Sequence, residues 1–145
     1  MENTRHLGVY GLIIKDEKIL LVKKARGAYT GKYDFPGGSF EHGEKPIETL
    51  KREIMEETNM EVLDCSLFQA NSVVVDWQHK DDDGKEHMHH IGIIYEVSLK
   101  EGKIKEDADG LDSLGAVWFK IEDLTKDMIS PLTYEALIEK GYKIK

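Results

Sequence analysis

The chain has 145 residues, 40% of them hydrophobic and 33% charged, which is typical of one soluble globular domain and excludes a disordered chain. Its net charge of −8 argues against a nucleic-acid duplex as the main partner, because phosphate backbones are bound by basic surfaces. One cysteine, no apolar run near the ~20 residues of a membrane span and no signal-peptide region lead us to expect a single cytoplasmic domain, residues 1–145, without a membrane partner.

The first third of the chain predicts a β-hairpin followed by a loop. Apolar residues dominate from Leu7 to Lys15 and again from Ile19 to Val22, and the polar pair Asp16-Glu17 separates these two strands. Residues 25–32 contain two glycines and predict a loop. Residues 33–35 then form a short extended piece before Pro36.

A helix is predicted from about Pro46 to Thr58. Proline suits the first helical position, because its missing N–H would have no partner there. Ile47, Leu50 and Ile54 recur at helical spacing and should face the core. Three carboxylates flank that apolar stripe, at i, i+3 and i+4: Glu53, Glu56 and Glu57.

The second half of the chain predicts three strands and a closing helix. Asp83-Gly84 is a strong hairpin-turn signal, residues 100–112 are charged and predict a loop, and Ser130-Pro131 resembles a helix start. The predicted elements are strands at Val62–Trp77, Met88–Leu99 and Ala116–Phe119 and a helix ending near Gly141. Strands and helices without regular alternation indicate a mixed sheet covered by helices.

The three helix carboxylates are the strongest chemical signal in the chain. Like charges at i, i+3 and i+4 repel by about 0.2–0.5 kcal/mol per pair in an isolated helix. A hard divalent cation would convert that repulsion into binding, since Mg²⁺ and Mn²⁺ prefer oxygen ligands. The alternative is an ordinary solvated acidic face, which a triplet of this kind alone would favour.

The context of the triplet favours the metal site. Gly38 is followed after five residues by Glu44 and after seven more by the run from Arg52 to Met60, which reads R-E-I-M-E-E-T-N-M. The stretch 38–60 therefore resembles the signature of Nudix hydrolases, G-x5-E-x7-R-E-U-x-E-E-x-G-U, in which U is bulky and apolar. Asn59 departs from it, standing where the family has glycine. Asparagine tolerates the left-handed backbone that often follows a helix end, so we expect little loss of stability.

The resemblance implies a fold, a reaction and a cofactor. The fold is the Nudix α/β/α sandwich with a mixed β-sheet, of class α/β (α+β). The reaction is hydrolysis of a diphosphate linkage in a nucleotide, with Mg²⁺ as cofactor and Mn²⁺ as a substitute. Metals would neutralise the phosphate oxygens, acidify water and fix the geometry.

The resemblance also implies roles for individual residues. Glu56 and Glu57 match the main metal-binding carboxylates, and the carbonyl of Gly37 matches an extra ligand. Glu53 matches a residue that binds metal or orients the attacking water. Arg52 would hold the helix carboxylates in position, and Glu44, at the junction of loop and helix, is expected to be structural.

The general base in this family often comes from a loop outside the signature. The acidic stretch before the last strand offers four candidates here, namely Glu106, Asp107, Asp109 and Asp112. A positioned base typically contributes about 10²–10⁴-fold in rate, which does not select among them.

Candidate substrate contacts lie in and before the glycine turn. Lys23, Lys24, Arg26 and Lys32 could meet the phosphates of the substrate or could equally be surface charges. Gly38 allows close approach of the backbone, and Tyr33 and Trp77 could stack on a base. On a strand, His87 and His89 would share one face and His90 would lie on the other. We expect this cluster to bind no metal, and contact of the cluster with substrate is the alternative.

Three functions follow in order of preference. The first is pyrophosphohydrolysis of a nucleoside triphosphate, including oxidised ones. The second is hydrolysis of ADP-ribose or a nucleotide sugar. The third is a nucleotide-binding sensor without turnover, which retention of Glu56 and Glu57 disfavours. The partner would be a small nucleotide, and the protein a monomer or a homodimer.

Overall fold

Strand β1 (Glu2–Leu12) is the centre of the architecture in the computed structural model, which describes residues 1–79, 81–104 and 113–145. The remaining elements are β2 (Ile14–Lys15), β3 (Lys18–Lys24), β4 (Tyr33–Asp34), β5 (Gly37–Ser39), α1 (Pro46–Thr58), β6 (Val62–Gln78), β7 (Lys85–Leu99), β8 (Ser113–Lys120) and α2 (Pro131–Lys140). Two short 3-10 turns, Ile121–Asp123 and Lys126–Met128, lie between β8 and α2.

The strands of the described residues form two four-stranded sheets. In the first, the order is β5-β1-β7-β6, with β1 parallel to β7 and the other pairs antiparallel. In the second, β3 pairs antiparallel with β2, β4 and β8. The mixed sheet predicted from the sequence is therefore present. The sequence did not predict the second, antiparallel sheet.

The predicted hairpin from Leu7 to Val22 is only partly right. Ile14 and Lys15 do pair with Ile19 and Lys18 around Asp16-Glu17, both of which adopt positive φ, 52° and 65°. Such a turn suits the twist of paired strands. The longer part of the first strand, up to Leu12, pairs instead with β7. Parallel pairing requires a partner from a distant part of the chain, so the local pattern did not reveal it.

Alternating side chains divide the core into two layers, one under each helix. Leu20 and Val22 pack with Leu50 and Ile54 of α1. The intervening residues of the same strand face the other way, in a cluster with α2 that includes Ile19, Leu21, Leu132, Ala136 and Leu137. The two helices thus cover opposite faces, which confirms the predicted α/β/α sandwich.

Helix α1 begins and ends where the sequence predicts. Pro46 opens it, and Asn59 ends it in a left-handed conformation, φ 61°, with its N–H bonded to the Met55 carbonyl oxygen at 3.0 Å. Leu50 and Ile54 are fully buried, but Ile47 is 42% exposed. The prediction that Ile47 faces the core is wrong, because it lies in the first turn, ahead of the residues that contact the sheets.

The other predicted ends also agree with the structure. In the β6–β7 hairpin, the His79 N–H donates to the Gly84 carbonyl oxygen at 2.9 Å, which closes the predicted turn. Ser130 caps α2, and Gly141 ends it at φ 105°. In the described part of the chain, no helix combines the length and apolar character needed to cross a membrane.

Candidate active site

The two glycines that the sequence predicts as a turn, Gly37 and Gly38, lie in β5, the edge strand of the first sheet, beside helix α1; they are called the glycine turn below. Gly37 and Gly38 in β5 pair with Tyr10 and Val9 in β1. At Gly37, φ is 149° and a Cβ atom would lie 2.1 Å from the Val9 carbonyl oxygen, so no other residue fits without moving the backbone. The turn therefore lies close to its neighbours with its peptide groups available to α1.

Two carboxylates of α1 pack against this turn. Glu57 is only 2% exposed, and its Oε1 accepts a hydrogen bond from the Gly37 N–H at 2.7 Å. The carboxylate of Glu53 lies 2.9–3.0 Å from the place where a Cβ on Gly38 would stand. Because these side chains are four residues apart, they leave the same face of the helix and meet the same turn.

Arg52 forms ion pairs with the neighbouring carboxylates. Its Nε donates to Oε2 of Glu44 at 2.8 Å and its Nη2 donates to Oε1 at 2.9 Å, a two-pronged ion pair. Its Nη1 donates to Glu53 at 2.9 Å, and Nη2 also donates to the Ser39 carbonyl oxygen at 3.1 Å. One guanidinium thus connects the loop, the turn and the helix.

The ion pair changes the ionisation of both partners. Hydrogen bonds from Arg52, together with one from the Glu41 N–H, lower the pKa of Glu44 to about 2. The same carboxylate raises the pKa of Arg52 above its ordinary value. Glu44 also accepts from the Thr49 hydroxyl at 3.0 Å. The structural role expected for Glu44 stays a prediction.

Glu56 shares Nη1 of Arg52 with Glu53 but is more exposed than the other two carboxylates. Its side chain is 50% exposed, and one oxygen lies 3.3 Å from Nη1 of Arg52. Within the described residues, no three acidic, histidine or cysteine side chains converge into a ready-made metal cluster. Glu53 and Glu57 at the turn nevertheless offer carboxylate oxygens alone, which suits a hard divalent cation.

A cavity of about 330 Å³ opens beside the turn. Gly37, Gly38 and Glu53 line one part of it, and Lys24 and Arg26 bring positive charge to its wall. The wall also includes Tyr29 from the loop between β3 and β4. A negatively charged protein has thus placed cationic side chains next to its candidate site, as an anionic ligand requires.

Strand register gives the direction of this cavity. Val9 pairs with Gly38, and counting back along β1, His6 pairs with His90 and Thr4 with Met88. At ~3.3 Å per residue, the five residues from Val9 to Thr4 span roughly 17 Å. Glu53 and the glycine turn therefore lie at one end of the cavity, and Met88 and Trp77 lie at the other.

His90 lies between these ends and is 1% exposed. Its Nε2 is 2.7 Å from the Tyr10 hydroxyl, and its Nδ1 is 2.8 Å from the Tyr29 hydroxyl. Burial lowers the pKa of His90 to about 4, and nearby His6 and Lys24 act in the same direction while Asp34 opposes them. The ring is therefore neutral at ordinary pH, with one nitrogen as donor and the other as acceptor.

A buried carboxylate holds the strand that leads into the turn. Asp34 is 2% exposed, and its Oδ1 accepts from the hydroxyls of Ser130 and Thr133 at 2.8 Å each. The same oxygen accepts from the Phe35 N–H at 2.9 Å. Strand β4 is thereby fixed to the start of α2, and its last residue lies three positions ahead of Gly37.

Three of the predicted substrate contacts lie elsewhere among the described residues. The Lys23 ammonium is 5.9 Å from the centre of the Tyr33 ring, and Tyr33 packs edge-on against Phe119. Lys32 donates to the Asp127 carbonyl oxygen at 2.9 Å. Their contact with substrate stays a prediction. The candidate bases Glu106, Asp107, Asp109 and Asp112 fall outside the described residues.

Sequence reasoning did not select Tyr10, Tyr29 or Asp34, and it considered His90 only as one member of a histidine cluster. These residues meet through strand pairings far apart along the chain, and nothing in the local pattern marks them. The useful signal was alternation, which separated His90 from His87 and His89. Trp77 was considered as a stacking residue, and it does line the cavity.

The family model described as NUDIX domain matches residues 4–138. An ADP-ribose pyrophosphatase from Methanocaldococcus jannaschii is 32% identical over 83% of this chain, which spans 64% of that relative's length. The Nucleoside triphosphatase NudI from Escherichia coli O139:H28 is 31% identical over 90% of this chain and 92% of its own length.

Solved structures agree on the fold. A MutT NUDIX hydrolase from Burkholderia pseudomallei superposes with a TM-score of 0.72 at 24% identity, covering 96% of this chain and 99% of the other. A NUDIX hydrolase from Nitrosomonas europaea gives a TM-score of 0.61 at 24% identity, with 97% and 93% covered. At these identities the likeness concerns the arrangement of strands and helices.

Proposed function

This chain belongs to the Nudix hydrolase family, and from that premise we propose that it hydrolyses the diphosphate linkage of nucleoside triphosphates with the help of a divalent metal ion. Water would add to a phosphorus of the linkage, and the bridging P–O bond would break. The products would be a nucleoside monophosphate and pyrophosphate. The neighbouring phosphate would leave with the electrons of the broken bond.

The observation that carries the proposal is the meeting of Glu53 and Glu57 at the glycine turn, where Glu53 lines a cavity with cationic walls. We propose these two carboxylates, with Glu56 and the carbonyl of Gly37, as the residues that would hold Mg²⁺, or Mn²⁺ in its place. The bound metal would supply charge neutralisation and acidified water. The side chain of Glu56 would rotate away from Arg52 toward the glycine turn. It is half exposed, which leaves room for that movement.

Arg52 acts on the site through its neighbours. By holding Glu53 at 2.9 Å and Glu44 at 2.8 Å, its guanidinium limits the orientations available to the Glu53 carboxylate. We propose it as a positioning residue. Groups held in advance lose less freedom when the ligand binds, which is how such contacts contribute to rate.

Positive side chains favour phosphates at the same end of the cavity. Lys24 and Arg26 line the wall that also contains Gly38 and Glu53. Their charge would offset the repulsion between an anionic substrate and a protein of net charge −8. We therefore place the phosphates near the turn and the nucleoside toward His90, Met88 and Trp77.

The triphosphate is preferred because the similarity to the Escherichia coli nucleoside triphosphatase extends over 92% of that protein. ADP-ribose is the second candidate, favoured by the 32% identity to the Methanocaldococcus jannaschii pyrophosphatase. A sensor without turnover is the least favoured, since the carboxylates of the signature are all present.

A substrate panel tests the proposal. Purified protein would be offered nucleoside triphosphates, oxidised triphosphates, ADP-ribose and nucleotide sugars, with Mg²⁺, with Mn²⁺ and with a chelator. We expect metal-dependent release of pyrophosphate from triphosphates. Turnover confined to ADP-ribose or nucleotide sugars would transfer the function to the second candidate. Nucleotide binding without turnover of any member would favour the sensor.

A further inference from the structure

Three side chains along the middle of the cavity form a hydrogen-bonded row that the hydrolysis itself does not require. Tyr10, His90 and Tyr29 come from β1, β7 and the loop after β3, and they are 3%, 1% and 6% exposed. Both ring nitrogens of His90 are occupied, at 2.7 Å by Tyr10 and at 2.8 Å by Tyr29. This row forms part of the cavity wall beyond Glu53.

Within this row, the Tyr29 hydroxyl keeps one hydrogen-bonding position for a ligand. A phenol can donate one hydrogen bond and accept others, and His90 is the partner of the Tyr29 hydroxyl among the described residues. The Tyr10 hydroxyl, by contrast, has two neighbours, His90 and His6, the latter at 3.3 Å. Tyr29 is thus the end of the row that can turn to a molecule in the cavity.

The direction of the row is not fixed, because a neutral imidazole can carry its proton on either nitrogen. With the proton on Nδ1, His90 donates to Tyr29, and the Tyr29 O–H can donate to a ligand. With the proton on Nε2, His90 donates to Tyr10, Tyr29 donates to Nδ1, and its oxygen can accept from a ligand. Both bonds of His90 are kept in either state.

The distance along the sheet indicates which part of a nucleotide reaches this hydroxyl. His90 pairs with His6, three residues along β1 from Val9, which faces the glycine turn. Three residues correspond to roughly 10 Å. With the phosphates at the turn, the base comes level with His90 and Tyr29, and Met88 and Trp77 lie beyond it.

We propose that Tyr29, oriented by His90, is a specificity-determining residue that hydrogen-bonds the exocyclic group of the nucleobase and accepts an oxo or an amino group there alike. This inference rests on the proposed function, because it assumes a nucleotide with its phosphates at the glycine turn. It assigns the enzyme a broad tolerance for bases that differ only in that group.

Tyr29→Phe and three purine nucleotides test it. ATP carries an amino group at position 6, ITP an oxo group, and purine riboside triphosphate neither. For the natural protein, we expect ATP and ITP to agree in kcat/KM within about 3-fold and the third nucleotide to fall about 5-fold lower, the usual weight of one hydrogen bond. Tyr29→Phe should bring all three to the lowest value through KM, with kcat unchanged. CTP, UTP and the 2-pyrimidinone nucleotide give the same comparison for pyrimidines.

Matched variants separate this role from a structural one. Tyr142→Phe makes the same change at a tyrosine that does not line the cavity, and it should behave as the natural protein. His90→Gln, which can still donate and accept, should retain the advantage of ATP and ITP over purine riboside triphosphate. His90→Phe, which can do neither, should lose that advantage.

Two kinetic outcomes would overturn the inference. Equal losses for all three nucleotides in Tyr29→Phe would reduce Tyr29 to an anchor of its loop. A preference above about 30-fold between ATP and ITP would show that the contact only donates or only accepts a hydrogen bond, contrary to the proposal. Comparison of ATP with dATP adds a check, since an effect of Tyr29→Phe on that pair alone would assign the hydroxyl to the sugar.

Failure of the proposed function would be visible separately. If the natural protein hydrolyses no nucleoside triphosphate, the hydrolytic proposal fails, and calorimetric affinities of the same nucleotides for the natural protein and Tyr29→Phe measure the contact directly. Equal affinities for the two proteins, or no binding at all, would overturn the inference about Tyr29 as well.

Discussion

Glu44, in the loop before helix α1, and Arg52, in the middle of that helix, are joined by two hydrogen bonds of 2.8 and 2.9 Å. This geometry matches the planar fork of a guanidinium to the two oxygens of a carboxylate, which a lysine ammonium cannot reproduce. The pair fixes the loop that precedes the helix, and the remaining arm of Arg52 reaches Glu53 at 2.9 Å. The position of the Glu53 carboxylate at the site thus depends on the Arg52–Glu44 ion pair, which lies outside it.

Arg52→Lys should keep the charge and lose the fork. We expect kcat to fall about 10- to 100-fold, the usual range for residues that orient a metal ligand, with a smaller change in KM. Arg5→Lys makes the same change at an exposed residue near the start of β1 and should leave the kinetics unaltered. Natural kcat in Arg52→Lys would mean that charge alone holds Glu53.

Glu57→Gln should nearly abolish metal-dependent turnover while the fold survives. The amide oxygen can still accept from the Gly37 N–H, but the buried negative charge is gone. We expect a loss of at least about 100-fold in kcat. Glu48→Gln, an exposed glutamate on the same helix, serves as the control. Circular dichroism would check the fold, and unchanged activity of Glu57→Gln would refute its assignment as a metal ligand.

Asn59→Gly should leave turnover nearly unchanged, because both residues suit the left-handed backbone at φ 61°. Asn59→Ala should lower the free energy of unfolding by about 1 kcal/mol, since a Cβ without a polar partner disfavours that conformation. Urea denaturation and steady-state kinetics measure the two effects. A large rise in turnover for Asn59→Gly would reveal a catalytic cost of the natural asparagine.

Acid should weaken the Arg52–Glu44 pair in a defined window. Because the pKa of Glu44 is lowered from 4.5 to about 2 in the folded protein, the pair stabilises the fold above about pH 4.5 and is lost as pH falls toward 2. The difference in unfolding free energy between the natural protein and Glu44→Gln should therefore shrink across this interval. A difference that stays constant from pH 6 to pH 2 would contradict the shift.

Local signals predicted the helices and turns well, and distant pairings less so. Pro46 and Asn59 mark the ends of α1 by backbone chemistry that acts within a few residues. The parallel pairing of β1 with β7 leaves no local trace, so Leu7 to Leu12 seemed to belong to a hairpin. Ile47 has the correct spacing for the core, but its burial depends on how far the sheets extend beneath the helix.

The same division applies to the site. Spacing along one helix and one turn identified Glu53, Glu57 and Gly37, which the structure brings together. Burial of His90 between two tyrosines requires partners 61 and 80 residues away, which no single segment encodes. Among the basic residues of β3, Lys24 lines the cavity, whereas Lys23 contacts Tyr33. Neighbouring strand residues point to opposite faces, and the sequence did not reveal which face was the useful one.

The parallel register of β1 and β7, from Glu2 opposite Glu86 to Leu12 opposite Glu96, has a consequence for how the protein is made. During synthesis, β1 leaves the ribosome long before its partner exists, so the first sheet closes only after the segment containing both the turn and α1 has emerged. Contacts so distant along the chain slow folding, and we expect refolding on the order of milliseconds to seconds. Until β7 has been synthesised, the edge of β1 that it will cover is open to other chains, and we expect the newborn protein to be prone to aggregate in this interval.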